Sequence, residues 1–125
     1  RAATIRATIR LLRQGKSLVL FPEGIMHPPS EVLPFGRAMQ VLAKQVRDLV
    51  FVPVAIRYEM AMHERPEAWV QVGEPHSFDS VELCRERVRS LLGMPLLRSE
   101  YQLLAAGTKD VNERWGLNKS KEGKA

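Results

Sequence analysis

The chain has 125 residues, 45% of them hydrophobic and 26% charged, which suits one soluble globular domain with a single core. No run of about 18 apolar residues occurs, so no membrane-spanning helix is expected. The net charge of +5 and a sequence pI near 9.8 favour anionic partners: lipid headgroups, nucleic acid, acidic proteins or phosphorylated metabolites. Charge alone does not choose among them. Cys84 is the only cysteine, so no internal disulfide can form. Its helix-like context, with no nearby His, reads as a packed helix residue rather than a nucleophile. The chain opens on Arg1 rather than Met and lacks the apolar region of a signal peptide, so the numbering is expected to start inside a longer protein.

In chain order, residues 2–14 are expected to be helical, because Ile5, Ile9 and Leu12 fall on one face. Arg6, Arg10 and Arg13 share another face, which is either simply solvated or a contact for a membrane surface or an acidic partner. Gly15 is placed to end this helix. Residues 17–21 form a short apolar run that reads as a buried strand, stopped by Pro22, which has no N–H for a ladder. A loop follows to Pro34, stiffened by Pro22, Pro28, Pro29 and Pro34. A loop of that length is commonly functional or mobile.

A second helix is expected over residues 36–47, burying Met39, Leu42, Ala43 and Val46. Residues 50–56 read as another strand, at an edge or bulged at Pro53. Strand, crossover helix and strand together imply a right-handed βαβ unit with parallel pairing. Residues 57–67 read as a connection and 68–72 as a strand ended by Gly73-Glu74-Pro75. Asp79 or Ser80 can cap a helix over residues 81–92, and residues 96–106 suit one more short helix. The expected fold is α/β, with a mostly parallel or mixed central sheet and flanking helices. Residues 1–106 make up the domain; residues 107–125 are a polar tail with too little apolar surface to order itself.

Phe21-Pro22-Glu23-Gly24 is the most informative stretch. It places a carboxylate at the tip of an apolar run, at a turn where Gly24 permits φ > 0. In open α/β sheets, ligands bind outside the carboxyl ends of strands. From the residues alone, Glu23 is either a cap or turn residue or part of a site. Its i, i+4 spacing to His27 lacks a third ligand for a metal.

The stretch from Leu12 to Gly24, Leu-Arg-Gln-Gly-Lys-Ser-Leu-Val-Leu-Phe-Pro-Glu-Gly, resembles the third motif of the glycerolipid (1-acylglycerol-3-phosphate) acyltransferase family. Pro34-Phe35 with the basic helix after it is similar to the segment that follows that motif. Val52-Pro53-Val54-Ala55-Ile56 looks like the fourth motif, and Gly73-Glu74-Pro75 resembles a common late strand end. The resemblance covers roughly residues 10 to 76.

It implies transfer of a fatty acyl group from a thioester of coenzyme A or acyl carrier protein to a hydroxyl of a lysophospholipid, glycerol phosphate or other lipid acceptor. Beyond that co-substrate it implies no cofactor and no metal. Phe21, Pro22, Glu23, Gly24, Arg37, Val52, Pro53 and Val54 are then the substrate-binding residues. The family's chemistry uses a His-x4-Asp motif, His as general base and Asp orienting it. None of His27, His63 and His76 has an Asp five positions on. No catalytic residue is therefore assigned here, and the chain is expected to be the C-terminal, acceptor-binding part of such a domain, inactive alone. Where the family continues Thr-Arg-Ser, this chain has Ile25-Met26-His27. Met26 offers no bidentate grip on phosphate; His27 or Arg37 could supply positive charge, and a less polar lipid acceptor is an alternative. The expected location is cytoplasmic, peripheral on an anionic membrane surface. Two other classes stay open: a non-catalytic module that docks on membranes or carrier proteins, and a nucleic-acid-binding domain. Sparse aromatics and the lack of a recognised motif disfavour the last.

Overall fold

The structure is a computed structural model and describes residues 2–28, 31–60, 63, 65–107 and 114–116. These fall in two compact units, one of residues 1–55 with 71–93, the other of residues 56–70 with 94–125.

The first unit begins with helix α1 (Ala2–Arg13). Its end is set locally. Gly15 takes φ 79°, its N–H bonds the Leu12 carbonyl at 3.0 Å, and the Lys16 N–H bonds the Leu11 carbonyl at 3.1 Å. This pair of bonds is a Schellman motif, which satisfies carbonyls the helix would otherwise leave open. Helix α2 (Ala38–Gln45) is shorter than the sequence suggests. Arg37 provides no side-chain cap at its start, and Val46 turns extended at its end. Asp48 then adopts φ 56°, a left-handed conformation that Asp tolerates better than most residues. Of the expected buried face, Met39, Leu42 and Val46 lie in the core, while Ala43 is half-buried. Truncating Leu42 to Ala would cost about 2–5 kcal/mol.

The strand expected at residues 17–21 does not form. The segment is extended but enters no ladder among the described residues, and Val19 and Phe21 are 81% and 76% exposed. An apolar run becomes a strand only when a neighbour takes its N–H and C=O groups, and none does so here. The expected run 50–56 is split at Pro53 into β1 (Val50–Phe51) and β2 (Val54–Glu59), as the missing proline N–H requires. β1 pairs antiparallel with β4 (His76–Ser77), Val50 opposite Ser77 and Phe51 opposite His76. β2 pairs with β3 (Glu67–Val72) in a second two-stranded sheet. Mixed helices and strands fit the α/β class, but the described residues contain two small sheets rather than the expected parallel or mixed central one.

Gly73 follows β3 where no side chain fits. A Cβ there would stand 2.8 Å from Pro53 Cγ and 3.2 Å from Leu91 Cδ1, and the Gly73 N–H donates to the Pro53 carbonyl at 2.9 Å. Helix α3 (Val81–Gly93) is capped by Ser80, whose Oγ accepts from the Leu83 N–H at 3.1 Å. Asp79, the other candidate cap, pairs instead with the Arg87 guanidinium, which holds its carboxyl well below the usual carboxylate range. Cys84 is buried on α3, and burial pushes its thiol up from the ordinary value. Gln71 is also buried, and its Oε1 has no hydrogen-bond partner among the described residues.

The second unit is held by polar and ring contacts. Arg98 donates to both oxygens of Glu67 at 2.7 and 2.8 Å and lies 5.5 Å over the Trp69 ring. Trp69 meets Tyr101 edge-on at 4.6 Å. Arg98, then burial in the opposite sense, governs Glu67, whose carboxyl sits below its usual range. The helix expected at residues 96–106 is only a 3₁₀ turn, Arg98–Glu100. Leu103 and Leu104 are about 80% exposed, so no packed apolar face offsets the cost of helix nucleation. Most of the expected tail, residues 107–125, lies outside the described residues.

Candidate functional site

The site is built on residues 21–37. Phe21-Pro22-Glu23-Gly24 closes a turn in which the Gly24 N–H donates to the Phe21 carbonyl at 3.2 Å. Pro at the second position and Gly at the fourth suit a type I turn. Gly24 leaves it at φ 73° with open space where a Cβ would be, so the backbone conformation alone calls for glycine. The loop returns to the turn through the Gly36 N–H, which donates to the Pro22 carbonyl at 2.8 Å. Arg37 follows directly, at the start of α2.

Glu23 is fixed from two sides. Its Oε2 accepts from His27 Nε2 at 2.6 Å and from the Leu33 backbone N–H at 2.7 Å. The other ring nitrogen, His27 Nδ1, lies 2.9 Å from the Pro28 carbonyl. His27 thus bridges the Glu23 carboxyl and the Pro28 carbonyl through its two ring nitrogens. Glu23 and His27 are partly sheltered, with side chains 28% and 22% exposed respectively, so water competes less for their hydrogen bond than in the open. Glu23 Oε1 accepts no hydrogen bond among the described residues, which leaves one carboxylate oxygen for a ligand hydroxyl.

The backbone that reaches Glu23 is itself held by α3. Arg85 Nε and Nη2 donate to the Val32 carbonyl at 3.0 and 2.6 Å, and Val32 is buried. Arg85 thus fixes the peptide beside Leu33, whose N–H bonds Glu23. Around this polar pair three apolar side chains face solvent: Phe21 and Ile25 at 76% and 67% exposure, and Met26 fully.

The structure brings Phe21, Pro22, Glu23 and Gly24 together on one turn and ties Arg37 to it through Gly36. It does not join Val52, Pro53 and Val54 to that turn by any hydrogen bond among the described residues. Val52 and Val54 are exposed, while Pro53 is buried against Gly73. Two contributors are not in the sequence-derived site: His27 as the partner of Glu23, and Arg85. The i, i+4 spacing of Glu23 and His27 was visible, but it signals contact only on a helix; here a loop reversal closes it. Arg85 lies 53 positions from Val32 and gives no local signal.

A second group, His76, Asp79 and Cys84, places possible metal-ligating atoms within 4.8 Å of one another. The Arg87 guanidinium already occupies Asp79, and its charge opposes a cation there. No helix among the described residues is long and apolar enough to cross a membrane.

No curated protein and no solved structure matches the chain significantly. A family model described as Acyltransferase matches residues 1–57, a span that takes in the turn, His27, Arg37 and residues 52–54. Residues 1–57, which include the Glu23 turn, are therefore similar to the acyltransferase family.

Proposed function

We propose that this chain is the acceptor-binding part of a glycerolipid-type acyltransferase, which moves a fatty acyl group from a coenzyme A or acyl-carrier-protein thioester to a lipid hydroxyl. The observation that carries this reading is the fixed Glu23 carboxylate. One oxygen is committed to His27 and Leu33 N–H, and the other is open at the motif turn. An oriented carboxylate oxygen accepts a hydrogen bond from the acceptor hydroxyl and holds it for attack on the thioester carbonyl. Gly24 lets the acceptor approach the backbone closely, and Arg37 supplies positive charge at the start of α2. In this reading the exposed Val52 and Val54 line the acyl or acceptor pocket, and buried Pro53 sets the break between them.

The base that takes the hydroxyl proton belongs to a His-x4-Asp pair, which this chain does not contain, so residues 1–125 alone transfer no acyl group. The exposed segment 17–21 gains its ladder in a parallel or mixed sheet of the assembled domain. Met26 gives no grip on phosphate, and the His27 ring is engaged by Glu23. Both favour an acceptor less dependent on a phosphate contact at this turn, such as a glycolipid or another hydroxylated lipid. Exposed Phe21, Ile25 and Met26 beside the turn suit a peripheral position on the cytoplasmic face of a membrane, with apolar tips against the lipid. Acyl transfer by the full-length protein tests the reading. Glu23→Gln keeps the shape of the side chain, removes its charge and is expected to lower transfer sharply with the fold intact; unchanged kinetics would remove Glu23 from the site.

A further inference from the structure

Helix α1, Gln14 just after it and the end of α2 border an open groove of about 490 Å³ lined by Arg6, Ile9, Arg10, Arg13, Gln14 and Gln45. Three of the six are arginines and none is acidic. No acidic residue precedes Glu23 in the chain, so α1 carries no carboxylate to neutralise them. None of the ion pairs among the described residues involves Arg6, Arg10 or Arg13. Arg13 is held in place, because its Nη2 donates to the Gln45 carbonyl at 2.7 Å and so caps the C-terminal end of α2. Arg6 and Arg10 lie one helical turn apart on the same face. A solvated stripe on an isolated helix would have no second wall; here α2 provides one through Gln45.

We infer that this groove binds a phosphate group carrying two or more negative charges, a phosphate monoester or a diphosphate. Guanidinium forks match phosphate oxygens in pairs, two nearby forks hold a dianion better than a monoanion, and the amides of Gln14 and Gln45 offer further donors. Ile9 gives an apolar wall for the group that bears the phosphate. Two sources share this chemistry: a soluble nucleotide-type phosphate, as in coenzyme A, and a lipid headgroup. Coenzyme A as the source rests on the acyl-transfer reading; the affinity of the groove for phosphate does not.

The test is an NMR titration of the 125-residue chain with inorganic pyrophosphate at physiological ionic strength, comparing the native chain with two double variants. Arg6→Gln with Arg10→Gln removes two charges from the groove and leaves the Arg13 cap in place. Lys44→Gln with Arg47→Gln removes two charges outside it. The first pair is expected to weaken binding at least about tenfold, the second by less than about twofold, since exposed charges outside a site are largely screened. Equal losses in the two pairs would show unspecific attraction and overturn the proposal, as would the absence of saturable binding in the native chain. Far-ultraviolet circular dichroism checks that α1 persists in the variants. A nucleoside bisphosphate and phosphatidylcholine vesicles containing phosphatidic acid, at equal phosphate, then separate the sources. Tighter binding of either, lost in the groove variant, supports the phosphate site; binding of either one unaffected by that variant places it elsewhere and counts against the groove.

Discussion

Arg85 offers a sharp test of how the site is held, because it acts from α3 on a loop 53 positions away in sequence. Arg85→Met keeps most of the side-chain length and apolar stem but deletes both donors to the Val32 carbonyl. Hydrogen bonds from charged donors contribute about 1.5–3 kcal/mol each, and these two share one acceptor, so a loss of roughly 2 kcal/mol is expected rather than the sum. The Arg85–Glu82 contact adds little, since Glu82 is 65% exposed. For a chain of this size, roughly 2 kcal/mol corresponds to a fall of about 6–8 °C in Tm. Urea unfolding of the native chain and the variant measures it. The site should respond too: with the peptide before Leu33 released, the Glu23–Leu33 bond loosens and acceptor KM in the full-length protein rises more than kcat falls. A stability change under about 0.5 kcal/mol, with acceptor KM unmoved, would refute the claim that α3 fixes this loop.

Gly73→Ala should destabilise by about 1–3 kcal/mol in the same unfolding assay, because its Cβ would stand 2.8 Å from the Pro53 ring and 3.2 Å from Leu91. Gln71→Met should be neutral or stabilising within about 1 kcal/mol, since it replaces a buried, unpartnered carbonyl with a thioether; a large loss would mean Gln71 has a partner that matters. Asp79 has a depressed folded-state pKa through its pairing with Arg87. Its contribution is therefore present above the ordinary carboxylate range, about pH 4, and is lost as pH falls through the folded value. Thermal melts should show a smaller acid-induced loss of stability for Asp79→Asn than for the native chain.

What could be read from the sequence was what nearby residues decide. The stop of α1 follows from Gly15 and Lys16, the start of α3 from Ser80, and the buried face of α2 from the spacing of Met39, Leu42 and Val46. Pro53 marked the break between β1 and β2 for the same reason. The segment 17–21 shows the limit: its composition reads as a strand, but strand formation depends on a partner that local sequence does not specify. Residues 96–106 suit a short helix, but Leu103 and Leu104 meet no surface that would bury them. At the site, the Glu23 turn was legible from Pro22 and Gly24. The clamp on Glu23 was not, because His27, Leu33 and Arg85 reach it through a loop reversal and a distant helix.

A positioned Glu23 carboxylate serving acyl transfer is tested most sharply by kcat/KM of the full-length protein carrying Glu23→Gln. Loss of one charge-assisted contact predicts a fall of about 10- to 100-fold, with the melting curve nearly unchanged. A kcat/KM within twofold of the native value, in a folded variant, would show that Glu23 does not serve the reaction.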